Sequence, residues 1–302
     1  MKPIISFIRF SRPHTIAGTT LSILSLYLIA LSFSDQQSYY IPQLIFTLIS
    51  CLGANIYIVG LNQITDIEID RINKPWLPLA SGYFSKQTAY GIISFALAIS
   101  FVIAFYFGNY LLLTVFLSLL LGTAYSLPPL RLKRYYFWAA FCIIAVRGMI
   151  VNIFLFLHFH FMMSGSQIIP VIVWLLTATI FIYSIAIAWF KDIPDMEGDK
   201  YYKISTLTLR MGASNVFYTG NFLLGATILA LIAAPFFVQL PLHRTLFSGI
   251  HILMLVILVT GIFITKPGNK KTIRRFYLMV WLLFFLEYIA FGVACFFYSF
   301  NV

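Results

Sequence analysis

Nine apolar runs recur along the chain, at roughly 14–33, 41–63, 88–107, 109–126, 137–161, 168–190, 216–238, 246–265 and 276–299. A helix of about 20 such residues crosses some 30 Å of hydrocarbon. Inside a bilayer, a helix also satisfies its own backbone hydrogen bonds. The pattern constrains the chain to an all-α polytopic membrane protein. Membrane barrel strands alternate apolar and polar residues, whereas stretches such as LTVFLSLLLG are apolar throughout. Of 302 residues, 61% are apolar and 10% charged, against about 45–50% and 25% in soluble domains. Soluble and disordered folds are thereby excluded.

The basic residues set the orientation. Lys2, Arg9 and Arg12 precede the first run, and Arg71, Lys74 and Lys86 follow the second. Arg131, Lys133 and Arg134 follow the fourth; Lys191, Lys200, Lys203 and Arg210 follow the sixth. Lys266, Lys270, Lys271, Arg274 and Arg275 follow the eighth. The positive-inside rule puts these loops and the N-terminus in the cytoplasm and the C-terminus on the other side. The net charge of +11 is then an orientation signal, and no nucleic-acid partner is expected. Cys51, Cys142 and Cys295 lie inside apolar runs without CxxC spacing, which points away from disulfides and zinc. The opening MKPIISFIRFSRPHT carries no long leader, so no transit peptide is expected.

Seven of the nine acidic residues fall in two short segments, NQITDIEID and KDIPDMEGD, at the ends of the second and sixth runs. Asn62, Asp66 and Asp70 are spaced i, i+4, i+8, which on one helix puts them on one face. Asp195 and Asp199 repeat the spacing, with Asp192 a turn earlier. Pro194 predicts that the sixth span ends near Lys191 and that its acids overhang the mouth. Like charges so close repel, and a divalent cation would relieve the conflict. Mg²⁺ takes one or two carboxylates together with waters and substrate phosphates. Two facing acidic rims therefore suggest a metal-bridged diphosphate, with Arg71, Lys74, Lys191, Lys200 and Lys203 as cationic neighbours. The bland alternative is a pair of solvated helix ends. A cation transporter is the rival class, but its coordinating groups belong near mid-membrane, where only Glu287 lies. The two acidic segments also suggest a four-helix unit used twice, helices 1–4 and 5–8, plus a ninth, in one domain over 1–302. Its cap loops lie at about 65–87 and 191–215.

Arg147 sits about ten residues into the fifth run, and an intramembrane arginine is a functional-site candidate. Pairing with helix carbonyls or Glu287 is the structural alternative. His158 and His160 are two residues apart, face different sides of a helix, and read as interfacial. Tyr125 and Ser126 precede a Leu-Pro-Pro helix stop.

Asn62-Asp66-Asp70 after the second span and Asp195-Asp199 after the sixth resemble the NxxxDxxxD and DxxxD motifs of the UbiA superfamily of intramembrane prenyltransferases. The segments RFSRPHTIAGTTLS, NIYIVGLNQITDIEIDRINKPWLPLASG, GTAYSLPPLRLKR and FKDIPDMEGDK are similar to its homogentisate prenyltransferase branch in cyanobacteria and plastids. The resemblance covers nearly the whole chain. It implies nine helices around a central cavity, a lateral opening to lipid, and two Mg²⁺ ions bridging a diphosphate. It implies a prenyl diphosphate donor, phytyl diphosphate first, and homogentisate as acceptor with loss of CO₂. The product is a 2-methyl-6-prenyl quinol, a tocopherol precursor when the tail is phytyl. Geranylgeranyl or solanesyl donors and a 4-hydroxybenzoate acceptor are the sibling alternatives. Carried onto this chain, Asp66, Asp70, Asp192, Asp195 and Asp199 bind metal. Asn62, Arg71, Lys74 and Lys191 contact the diphosphate. Arg12, His14, Tyr125 and Ser126 match family positions near the acceptor. Apart from the resemblance, the acceptor's carboxylate needs a cation, for which Arg147, Arg12 and His14 are the candidates. A cyanobacterial plasma or thylakoid membrane is the expected location. Tail length and oligomeric state stay open.

Overall fold

Prolines and a glycine set where several helices begin. Pro13 and Pro42 occupy first turns, where a missing N–H costs nothing. Gly108, at φ +124°, separates two helices with a single residue in a conformation open to glycine. The protein is described by a computed structural model for residues 3–34, 40–202 and 205–299. Lys2, Asp35 and Lys203 lie outside the described residues.

The helices run in order α1 (Pro3–Phe10), α2 (Pro13–Ser32), α3 (Ile41–Thr65), α4 (Ile67–Asn73), α5 (Lys86–Phe107) and α6 (Asn109–Ser126). Then come α7 (Tyr136–Ile144), a π-wound turn (Ala145–Ile150) and α8 (Val151–Ser164), which together form one span. The chain continues with α9 (Val171–Tyr201), α10 (Leu207–Met211), α11 (Ala213–Phe237), α12 (Arg244–Ile264) and α13 (Lys270–Ser299). Among the described residues, nine helices are long and apolar enough to cross a membrane.

Six spans close a ring. α2 packs on α3, α3 on α6, α6 on the π turn and α8, the π turn on α9, α9 on α13, and α13 back on α2. α5 packs outside α3 and α6, and α11 and α12 pack outside α9 and α13. Small residues allow the close contacts, as expected where lipid supplies no hydrophobic drive between helices. A Cβ on Gly53 of α3 would stand 2.8 Å from the Ala96 carbonyl oxygen of α5.

Three expectations are corrected. The sixth span does not end near Lys191: α9 continues through Pro194 to Tyr201. A proline removes one N–H from the ladder, and the extension is held instead by packing on α4. Asn62, Asp66 and Asp70 do not share one straight helix, because the chain breaks at Asp66 (φ −117°, ψ 17°) between α3 and α4. The turn stays tight, with Asp70 N–H donating to the Asp66 carbonyl at 2.7 Å. His158 and His160 are buried rather than interfacial. His158 Nε2 lies 3.0 Å from Thr47 Oγ1, and His160 stacks on Phe156.

Candidate active site

The break at Asp66 and the continuation of α9 bring the two acidic segments together. Asp66, Asp70, Asp192, Asp195 and Asp199 all line one cavity of about 70 Å³. Lys74, just after α4, forms an ion pair with Asp195. One residue earlier, Asn73 Oδ1 accepts from the Gly198 N–H at 3.2 Å. A Cβ on Gly198 would come within 2.6 Å of the Asn73 side chain, so glycine there permits α4 and α9 to meet.

Asp66 is the most heavily neutralised acid. Lys133 Nζ lies 2.7 Å from Asp66 Oδ1 and also donates to Thr65 Oγ1 at 2.8 Å. Arg131 Nη2 donates to Asp66 Oδ1 at 3.3 Å and to the Thr65 carbonyl at 3.2 Å. Burial lowers the Lys133 ammonium to a pKa of about 8, against the pull of Asp66, which favours the charged form. Burial raises the Asp70 carboxyl above its ordinary range, opposed by Arg12 and Lys74. Among the described residues, no group of three carboxylates forms a cage for an ion; Lys74 and Lys133 hold Asp195 and Asp66 instead. The donors are hard oxygens on both sides of one cavity. They suit an ion that needs only one or two carboxylates and completes its shell with substrate phosphate and water.

A second cavity, about 150 Å³, adjoins the first and shares Arg12, Asn62, Tyr125 and Lys191 with it. Arg12 Nη2 donates to Asn62 Oδ1 at 3.3 Å, and Lys191 Nζ donates to the Tyr125 hydroxyl at 3.2 Å. Its far wall holds His14, Tyr277, Trp281 and Arg147. Arg147 sits in the π-wound turn, a winding frequent at functional sites. Its guanidinium carbon lies 4.6 Å from the Trp281 ring centre, and His14 packs edge-on to the same ring at 4.9 Å. Among the described residues no carboxylate pairs with Arg147. Glu287, its structural alternative, is fully buried and bonded to His251 Nε2 at 3.1 Å. A third cavity, also about 150 Å³, continues inward past Arg147 and Trp281 to Ser118, Phe284 and Tyr288.

The expected site residues thus divide. Asn62, Lys74, Lys191, Arg12, His14, Tyr125, Arg147 and the five aspartates converge. Arg71 does not: its exposed side chain pairs with Glu68 at 2.8 Å on the surface. Ser126 is buried beside the site without lining these cavities, its Oγ unpartnered among the described residues. Lys200 is exposed. Arg131, Lys133, Asn73 and Trp281 line or brace the site without having been singled out as site residues. Arg131 and Lys133 carried a signal in the basic run after the Pro-Pro stop, read only as orientation.

Residues 23–297 match the UbiA prenyltransferase family. The chain is 44% identical to homogentisate phytyltransferase of Synechocystis sp. over 298 residues, 97% of this chain and 96% of the relative. It is 39% identical to the chloroplastic homogentisate phytyltransferase 1 of Arabidopsis thaliana over 296 residues, 94% of this chain and 74% of the relative. Among solved structures, a UbiA homologue from Archaeoglobus fulgidus bound to GPP and Mg²⁺ aligns with a TM-score of 0.62 at 18% identity, over 96% of this chain and 99% of that one. At that identity the likeness is one of fold.

Proposed function

This chain belongs to the UbiA prenyltransferase family, and on that premise we propose that it transfers a prenyl group from its diphosphate to homogentisate with loss of CO₂. Phytyl is the donor we assign, and the product is a 2-methyl-6-prenyl quinol, a precursor of tocopherol. The acidic rim and the N-terminus face the cytoplasm, and the C-terminus lies on the other side of a plasma or thylakoid membrane.

One observation carries this reading. Arg12, Asn62, Tyr125 and Lys191 line both the acidic cavity and the aromatic one. A donor whose diphosphate lies among the carboxylates therefore has its first carbon beside a ring held next door. Two Mg²⁺ ions, held by Asp66 and Asp70 on one rim and by Asp192, Asp195 and Asp199 on the other, would stabilise the charge on the departing diphosphate. Lys74, Lys133, Arg131 and Lys191 add fixed positive charge around the same group, where charge develops as the donor ionises. Asn62 holds Asp66, donating to its Oδ2 at 3.2 Å. The faces of Tyr125 and Trp281 shelter the allylic cation by cation–π attraction. Arg147, a half-buried cation with no carboxylate partner among the described residues, takes the carboxylate of the acceptor, with Arg12 and His14 flanking it. The electron-rich ring attacks the donor's first carbon as the bond to the diphosphate breaks. The substituted ring carbon gives up its proton to restore aromaticity, and the acetate arm loses CO₂ and takes up a proton to become the methyl group. The transporter reading loses its mid-membrane ion site, since Glu287 is committed to His251.

Membranes carrying the full chain, given labelled homogentisate, Mg²⁺ and a phytyl, geranylgeranyl or solanesyl diphosphate, are expected to form prenyl quinol fastest with phytyl. Faster product with another donor reassigns the tail, and no product with any of them removes the reading.

A further inference from the structure

A larger cavity, about 390 Å³, opens beside the two that form the proposed active site. Its walls come from four places: the start of α2 (Arg12, His14), the loop after α4 (Trp76), α9 at Pro194, and the first turns of α13 (Arg274, Tyr277). Four cations line it: Arg12, Lys74, Lys191 and Arg274. Its one carboxylate, Asp195, is already paired with Lys74. The Arg274 guanidinium carbon stands 4.0 Å from the Trp76 ring centre, and among the described residues no carboxylate pairs with it. Trp76 is 40% exposed, so this end reaches the surface. At its inner end the cavity shares His14 and Tyr277, with Arg12 and Lys191, with the aromatic cavity.

We propose that this cavity is the port by which a small anionic aromatic acid reaches the ring-binding cavity, and that Arg274 and Trp76 form its first binding site. The chemistry selects the ligand. A hydrocarbon tail gains nothing from four cations, and a tail belongs against apolar walls. A diphosphate has its own place among the five carboxylates, whose cavity does not include Arg274 or Trp76. An aryl carboxylate fits both features present, its charge on an arginine with no counter-ion among the described residues and its ring against an indole. The excess of positive charge at a partly enclosed mouth also draws anions in from solution. The proposal rests on the reading that the acceptor is an aromatic acid, and extends it to the path that acid takes.

Two measurements on the purified full chain test it: equilibrium binding of labelled homogentisate and of uncharged methylhydroquinone, and initial rates with each substrate varied. Arg274→Ala is expected to weaken homogentisate binding about tenfold and to raise the acceptor KM in proportion, with the donor KM within about twofold. Methylhydroquinone binding is expected to change by less than about twofold in the same variant, because it lacks the charge. Arg274→Lys is expected to recover part of the loss, and Trp76→Ala to weaken both aromatic ligands. Added salt is expected to weaken homogentisate binding more in the wild type than in Arg274→Ala. An unchanged homogentisate affinity in Arg274→Ala overturns the port, and so does a donor KM that rises as much as the acceptor KM. Homogentisate binding that depends on Arg274 without any turnover overturns the catalytic reading and keeps the port. Turnover with binding indifferent to Arg274 does the reverse.

Discussion

Lys74 and Asp195, 121 residues apart in sequence, form an ion pair that joins the segment after the second span to the extension of the sixth. The pair crosses the cavity where the two groups of aspartates meet. It neutralises a carboxylate whose side chain is only 9% exposed, in surroundings where an unpaired charge is expensive. Lys74→Gln is expected to lower kcat/KM for the donor by about a hundredfold, the size of effect seen when one charge-stabilising contact is removed from a transition state. Initial rates with the donor varied check it, and a loss confined to the acceptor KM contradicts it.

Gly198 controls how closely the rims approach. Gly198→Ala places a methyl group against the Asn73 side chain and removes the geometry of the bond that Asn73 accepts. Overpacking of this kind costs about 1–3 kcal/mol. A lower melting temperature with donor affinity also reduced is expected, and the double variant Gly198→Ala/Asn73→Ala is expected to recover stability but not full donor affinity.

Lys133 and Arg71 make opposite predictions although both are basic and near the first acidic segment. Lys133→Ala leaves Asp66 without its nearest cation and is expected to reduce turnover at least tenfold. Arg71→Ala removes an exposed surface pair with Glu68, an interaction of little consequence, and is expected to stay within about twofold of wild type. Parallel rate measurements on the two variants check both.

Arg147→Ala is expected to raise the homogentisate KM at least tenfold with the donor KM little changed, and Arg147→Lys to recover only part, since an ammonium does not reproduce a guanidinium's two-point grip on a carboxylate. An unchanged homogentisate affinity in Arg147→Ala removes it as the carboxylate anchor.

Stripping divalent cations with a chelator is expected to abolish turnover, and added Mg²⁺ to restore it, because five carboxylates around one small cavity repel a bare diphosphate. Activity that persists at full rate after stripping contradicts the metal reading.

Much of this site is legible in the sequence because its chemistry demands rare residues in membrane surroundings. Seven acids in two segments stand out in a chain with nine. What escapes is direction. Arg71 follows Asp70 by one residue, and neighbours on a helix point about 100° apart, so an inward Asp70 implies an outward Arg71. Tyr125 and Ser126 obey the same rule: one lines the cavity and the other does not. Lys133 reaches Asp66 because Arg131 adopts φ +37° after the Pro-Pro stop and turns the chain back over α3, a turn no spacing rule encodes. Pro194 misleads because it breaks only local bonds, whereas the continuation of α9 depends on Asn73 and Lys74 from a segment over a hundred residues away.

The central claim is that both acidic rims grip one diphosphate. Binding of an unreactive prenyl thiodiphosphate in Mg²⁺, measured on the purified wild type, Asp66→Asn, Asp195→Asn and the double variant, tests it most directly. Each single change is expected to weaken binding at least tenfold, and the double change by much less than the product of the two, because the rims act on the same group. Wild-type affinity in either single variant, or losses that simply multiply, contradicts the account.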